Sequence, residues 1–308
     1  VAAAVGLGGE VLATIHRSRE DGPYPVKKAI ATILESTDEL FASLPTGAVL
    51  VGVGIAIPGV VETELGFIRK APNLGWIDVP FGQLMTDSLH AHIGVCPTVV
   101  LGNDANLGAV AEYVRGAATA TSSVVYLTGD VGVGGGVVLG GQVLAGGSGF
   151  AGELGHMVVN PTGQPCNCGS RGCWETEVGR DAVLSAVGFL PGQGSFSDLV
   201  ADSPADHTEI KRALAGVGEW VGVGLVNLMN SIDPDYIVLG GHFAEIYPYI
   251  SEVVDTRIDQ SRPNAHTRAY ISLPSLLLNS PLAGAAEAAF GPLLSDPLHE
   301  MDQAFVLI

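Results

Sequence analysis

Three cysteines within eight residues, Cys166, Cys168 and Cys173, follow His156 in the pattern H-x9-C-x-C-x4-C. Nothing else in the chain restricts folding as much, because four such side chains meeting at one point fix the whole run between them. Zn²⁺ takes four N/S ligands in a tetrahedron, and three thiolates with one imidazole fill it. A filled shell leaves no position for water, so a zinc held by His156, Cys166, Cys168 and Cys173 is expected to be structural. Gly163, Gly169 and Gly172 let a short loop wrap one centre. Cysteines clustered in this way read as metal ligands before disulfides, although the spacing is not that of a standard zinc finger. The competing reading is a set of buried free thiols. The remaining cysteine, Cys96, lies in an apolar context and is expected in the core.

Composition bounds the rest. The chain has 308 residues, of which 47 % are hydrophobic and 15 % charged, which is a globular balance with room for two domains. Its formal charge of −18 argues against a broad basic face for nucleic acid on this segment. The longest uncharged stretch, Val131 to Gly152, is rich in glycine and contains Gln142 and Ser148. It suits a turn-rich sheet better than the roughly 20 apolar residues of a membrane helix. The amino end lacks the basic start and long apolar core of a signal peptide, so a cytoplasmic protein is expected. The chain begins with Val rather than Met, and further residues are expected upstream of Val1.

Hydrophobic periodicity gives α/β alternation in the first part. Ala2 to Val5 and Val11 to His16 read as a hairpin around Gly8-Gly9. Pro25 to Leu44 reads as a helix, Val49 to Ile57 as a buried strand, and Thr98 to Leu101 as a short strand. A turn follows at residues 102–106, and then a helix from Leu107 to Arg115. Ser123 to Leu127 reads as a strand, and Gly129 to Gly155 holds 12 of the 42 glycines, a density that suits tight hairpins. Arg180 to Gly188 reads as a helix. So does Pro204 to Ser231, with Leu214, Val217, Trp220, Val221, Leu225 and Leu228 on one stripe. Tyr236 to Leu239 is a buried strand, and Ala283 to Leu294 a small-residue helix.

Several polar residues flank these features. Glu153 and His156 lie in G-E-L-G-H, Glu175 follows the last cysteine, and Asn103 and Asp104 follow a strand. Carboxylates and an amide on rigid supports suit a sugar, whose hydroxyls both donate and accept. An Asp at a strand end also suits a general base toward a hydroxyl. Each residue has a plainer reading as well. Asn103-Asp104 suits a turn and helix cap, Glu175 a solvated helix face, and His156 a zinc ligand only.

The run GELGHMVVNPTGQPCNCGSRGCWE, with VGVGIAIPGVV, APNLGWIDVPF, GNDANLGAVAE and IDPDYIVLGG in order, resembles the ROK family (repressor, open reading frame, kinase) from about Gly6 to Pro297. The resemblance implies an α/β, actin-like and hexokinase-like (ribonuclease H-like) fold of duplicated domains with a sugar cleft between them. It implies a small domain over 1–105, completed by a C-terminal segment of about 292–308, and a larger domain over 106–291 carrying the zinc loop. It implies sugar contacts by Asn103, Asp104, Glu153, His156 and Glu175, and a homodimer. In the family's kinases the residue matching Asp104 is the catalytic base toward ATP and Mg²⁺.

Those kinases also carry an Asp-x-Gly-Gly-Thr-Lys phosphate loop after the first strand. VAAAVGLGGEVL resembles the second strand, so the first strand and that loop are expected upstream of Val1. APNLGWIDVPF resembles the regulator branch. The second phosphate block, TGDVGVGGG, carries Asp130, whose carboxylate is unfavourable beside phosphates. The expectation is therefore the sugar-binding effector domain of a transcriptional regulator. Sugar binding is expected to shift the interdomain angle and the affinity of an upstream helix-turn-helix for operator DNA. The alternatives are an ATP-dependent sugar kinase and an interaction module with a vestigial pocket. Arg69, Lys70 and Arg171 are the cations available to a phosphorylated sugar.

Overall fold

The structure is a computed structural model that describes residues 1–18, 22–147, 149–190, 194, 196, 207–261, 268–276, 280–297 and 305–306. The first half runs β1 (Ala2–Val5), β2 (Val11–Ile15), α1 (Val26–Ser43), β3 (Val49–Leu50), β4 (Gly52–Ile57), β5 (Val60–Glu62), β6 (Phe67–Ala71), β7 (Trp76–Val79), α2 (Phe81–Ile93), β8 (Thr98–Asn103) and α3 (Asp104–Val114). The second runs β9 (Ser123–Gly129), β10 (Val133–Leu139), β11 (Gln142–Val143), α4 (Trp174–Val178), α5 (Arg180–Ala186), α6 (Thr208–Ser231), β12 (Tyr236–Gly241), α7 (His242–Ser261), β13 (Tyr270–Ser272), α8 (Ser280–Ser295) and β14 (Phe305–Val306). The chain divides into two compact units, Val1–Gly116 with Ala145–Phe150 and Leu276–Ile308, and Ala117–Leu144 with Ala151–Ser275.

In the first unit, β1 and β2 form the expected antiparallel hairpin. The expected strand from Val49 to Ile57 is broken at Val51: β3 pairs with β14, whereas β4 runs parallel to β8. Strands β5, β6 and β7 form an antiparallel meander. Helix α2 shows why local sequence is obeyed here. Phe81, Met85 and Leu89, four residues apart, are all fully buried, each contributing about 2 kcal/mol. Gly94 ends the helix in the left-handed conformation and donates to the His90 carbonyl. Cys96, in the turn after α2, is exposed rather than in the core.

Helices α3 and α8 belong with this unit, because they pack at backbone distance. A Cβ on Gly284 would lie 1.8 Å from the Leu107 carbonyl oxygen, and one on Gly54 1.8 Å from that of Ala285. The buried Glu112 accepts from Ser280 Oγ at 2.7 Å. Arg115 donates to the carbonyls of Leu7 and Gly8 and pairs with Glu287. The divisions beside these helices therefore fall at 116/117 and 275/276. The expected cuts at 105/106 and 291/292 would split α3 and α8.

In the second unit one mixed sheet has the order β11-β10-β9-β12-β13. Strands β9, β12 and β13 are parallel, and β10 and β11 are antiparallel additions. The glycine-rich run supplies the expected hairpins. Between β10 and β11 lie only Gly140 and Gly141, both at positive φ, as a two-residue turn of matching twist requires. The stripe on α6 is inside as expected, with Trp220 half-buried. Pro204 lies outside the described residues, and the helix begins at Thr208. No described helix is long and apolar enough to cross a membrane.

Candidate functional site

The expected ligand residues fall into two groups, one in each unit. In the first unit, β8 passes directly into α3 with no intervening turn. Asn103 ends the strand opposite Ile57 and caps the helix, its Oδ1 accepting from the Asn106 N–H at 2.9 Å. Its Nδ2 donates to the Gly59 carbonyl at 3.0 Å. Asp104 opens the helix, where the helix dipole favours its charge, and its Oδ1 accepts from the Ala105 N–H. The expected start at Leu107 is too late because the capping residue lies inside the strand.

In the second unit, His156, Cys166, Cys168 and Cys173 converge, their ligand atoms all within 4.8 Å of one another. Cys168 Sγ lies 3.6 Å from Cys173 Sγ, and Cys166 Sγ 3.7 Å from His156 Nδ1. Zn–S bonds of about 2.3 Å place tetrahedral corners roughly 3.8 Å apart, so this donor set fits zinc. Burial pushes the Cys166 and Cys173 thiols up, whereas the Ser170 N–H holds Cys168 below the ordinary thiol value. Two buried thiols that resist ionisation suit a centre where a cation supplies the compensating charge.

The loop is closed by backbone. Gly172 stands at φ +70 with its would-be Cβ 1.5 Å from the Asn160 carbonyl oxygen, a position only glycine takes. The Gly172 carbonyl accepts from Val159 and Asn160. Arg171 donates to the Gly163 carbonyl, and Arg69 is paired with Glu62 and Asp78, so neither is a free cation for a phosphate. After Cys173 the chain enters α4 at Trp174, which is fully buried, donates to the Trp220 carbonyl at 2.8 Å and lies over Gly224 of α6. Sequence reading missed that anchor. Trp174 directly follows the cysteine block, but its hydrogen-bond partner Trp220 stands 46 residues on.

Two carboxylates flank the imidazole. Glu175 Oε1 lies 3.4 Å from His156 Nδ1 and 2.9 Å from Cys166 Sγ, while Glu153 Oε2 lies 3.7 Å from His156 Nε2. The ring thus turns Nδ1 toward the cysteines and Nε2 toward Glu153. The side chains of Glu153, His156 and Glu175 are 39 %, 38 % and 20 % exposed. From the loop and the first turn of α4 they present two acceptors and a ring nitrogen to solvent, which is chemistry for a hydroxylated ligand.

The ROK family matches residues 1–290. The xylose repressor of Bacillus spizizenii (strain ATCC 23059 / NRRL B-14472 / W23) is 27 % identical over 280 residues, 90 % of this chain and 71 % of the repressor. The glucokinase of Halalkalibacterium halodurans is 31 % identical over 252 residues, 74 % of this chain and 71 % of the enzyme. Among solved structures, the ROK hexokinase from Thermus thermophilus superposes with a TM-score of 0.73 at 27 % identity, covering 93 % of each chain. A match over nearly the whole length, together with the shared fold, shows that the chain belongs to the ROK family and has its actin-like, hexokinase-like α/β architecture.

Proposed function

We propose that this chain is the sugar-binding effector domain of a ROK-type transcriptional regulator, with Asn103, Asp104, Glu153, His156 and Glu175 as sugar contacts. The observation that carries the reading is the divided imidazole: Nδ1 faces the cysteines and Nε2 faces Glu153. One ring then serves two roles, a ligand to structural zinc on one side and a partner to a sugar hydroxyl on the other. His156, Cys166, Cys168 and Cys173 hold the zinc, which supplies cross-linking rather than reaction chemistry. The carboxylate beside each ring nitrogen orients the imidazole. The likeness to the xylose repressor along 90 % of the chain supports the regulator assignment. The acidic charge of −18 assigns operator DNA to another part of the protein. A homodimer then presents two such DNA-binding parts.

The likeness to glucokinase and hexokinase favours a second reading, an ATP-dependent sugar kinase with Asp104 as general base. Titration with xylose, glucose and N-acetylglucosamine in a melting assay tests the first reading. A cognate sugar raises the melting transition, adding RT ln(1 + [L]/Kd) to the unfolding free energy, and Glu153→Gln removes the rise. No shift with any sugar at about millimolar concentration overturns it. Sugar- and Mg²⁺-dependent ADP release that Asp104→Asn abolishes decides for the kinase.

A further inference from the structure

Strands β9 and β12 are parallel neighbours, and both end in glycine, Gly129 opposite Gly241. In open α/β sheets, ligands bind beyond the carboxyl ends of parallel strands. The 20-residue helix α7 begins at this end, directly after Gly240-Gly241. Its first N–H groups carry partial positive charge and suit a phosphate, and glycines let one approach the backbone. By these general rules this end of the sheet should accept a nucleoside phosphate.

In this chain the space is taken. The imidazole of His242 lies on Gly129, so that a Cβ there would stand 2.3 to 2.7 Å from three ring atoms. The ring is locked from the far side, with Nε2 2.9 Å from the carbonyl of Val178 at the end of α4. It is packed on Phe243 at 4.7 Å between centroids, and Phe243 is stacked on Trp174. Its Nδ1 is buried without a hydrogen-bond partner. Gly241 lies close against the same residue, its would-be Cβ 2.0 Å from the Gly129 carbonyl oxygen. The next residue along from Gly129 is Asp130, whose carboxylate acts on His242 and repels a phosphate.

We infer that His242 is a built-in stopper that closes the carboxyl end of the β9–β12 pair to nucleoside phosphates, leaving sugar as the ligand to which this domain answers. Burial lowers the basicity of the ring, so at neutral pH it does not offset Asp130. The inference goes beyond the sugar reading and is read out separately from it.

The test is equilibrium binding of MgADP and MgATP to the zinc-loaded chain, as wild type, His242→Ser and His242→Phe. Serine removes the ring; phenylalanine keeps the bulk. Wild type and His242→Phe should bind neither nucleotide at about millimolar concentration, and His242→Ser should bind at least about tenfold tighter than wild type. Retained zinc content and an unchanged melting transition certify the fold of the serine variant. Should it lose either, His242→Ala is read in its place by the same standard. Wild-type affinity equal to that of the opened variant overturns the inference, and so does a folded, opened variant with no gain. A missing sugar-induced melting shift in wild type would instead strike the sugar reading and leave the stopper standing.

Discussion

The candidate ligand residues are held in place in two different ways. Asn103 and Asp104 of the first unit stand where a strand becomes a helix, fixed by backbone pairing and a cap. Glu153 and His156 of the second unit stand on a run with little regular structure, and Glu175 on the short helix α4 that ends it, the whole closed by four side chains and a few backbone hydrogen bonds. The first arrangement is stable on local grounds. The second is tied to the core through one indole and, on the proposed reading, depends on an ion as well. The two should therefore respond to damage on different scales.

The largest effect is expected from removing the metal ligand set. Cys168→Ser should release zinc, lower the stability of the second unit by several kcal/mol, and abolish a sugar-induced melting shift. Metal analysis and calorimetry check this, and wild-type protein without zinc would break the comparison at its root. A smaller effect is expected where the loop is pinned to the core. Gly224→Ala puts a Cβ 2.1 Å from the Trp174 indole. Alanine gains roughly 1 kcal/mol in helix propensity, but overpacking at such a distance costs about 1 to 3 kcal/mol, so net destabilisation is expected. Denaturant melts followed by Trp fluorescence measure it, and a more stable variant would show that the indole has room to move.

The two sites were unequally legible in the sequence. The convergence of His156 and the three cysteines was readable because the four lie within 18 residues and glycines punctuate the run between them. Helices α1, α2 and α6 follow their apolar spacing, and the hairpins of the second unit follow their glycines. What was hidden is tertiary. The break at Val51 exists because β3 and β4 have different partners. The division at 116/117 follows from α8 lying on Leu107 across a long gap in sequence. His242 on Gly129 and Trp174 on Gly224 are likewise contacts between residues far apart, with no local pattern to announce them.

At the β8–α3 junction the expected loss is modest. Asn103→Ala removes the cap on α3 and the bond to the Gly59 carbonyl, and should cost about 1 kcal/mol. The fold should survive with zinc content unchanged, while any sugar affinity falls. A loss as large as that of Cys168→Ser, read in the same calorimeter, would mean that the junction is no more self-sufficient than the loop.

The smallest effect concerns acid, and it separates the sheet of the second unit from the histidine–cysteine loop. Asp235, just before β12, accepts through Oδ2 from the hydroxyls and N–H groups of Ser122 and Ser123 at the start of β9. These bonds, the Ser122 hydroxyl first, hold its carboxyl below the usual value of 3.8. A carboxyl whose pKa is lower folded than unfolded adds stability above the unfolded value and loses it as pH falls through the folded one. Wild type should therefore be more stable than Asp235→Asn at neutral pH. The gap should narrow below pH 3.8 and close once the folded carboxyl is protonated. Because the carboxylate is exposed, solvent screening keeps the gap small. Melting temperatures of both proteins across that range, each in zinc-free buffer, isolate the sheet from the loop. A gap that persists unchanged in strong acid would show that the serines stabilise the strand ends through geometry alone, independent of the charge.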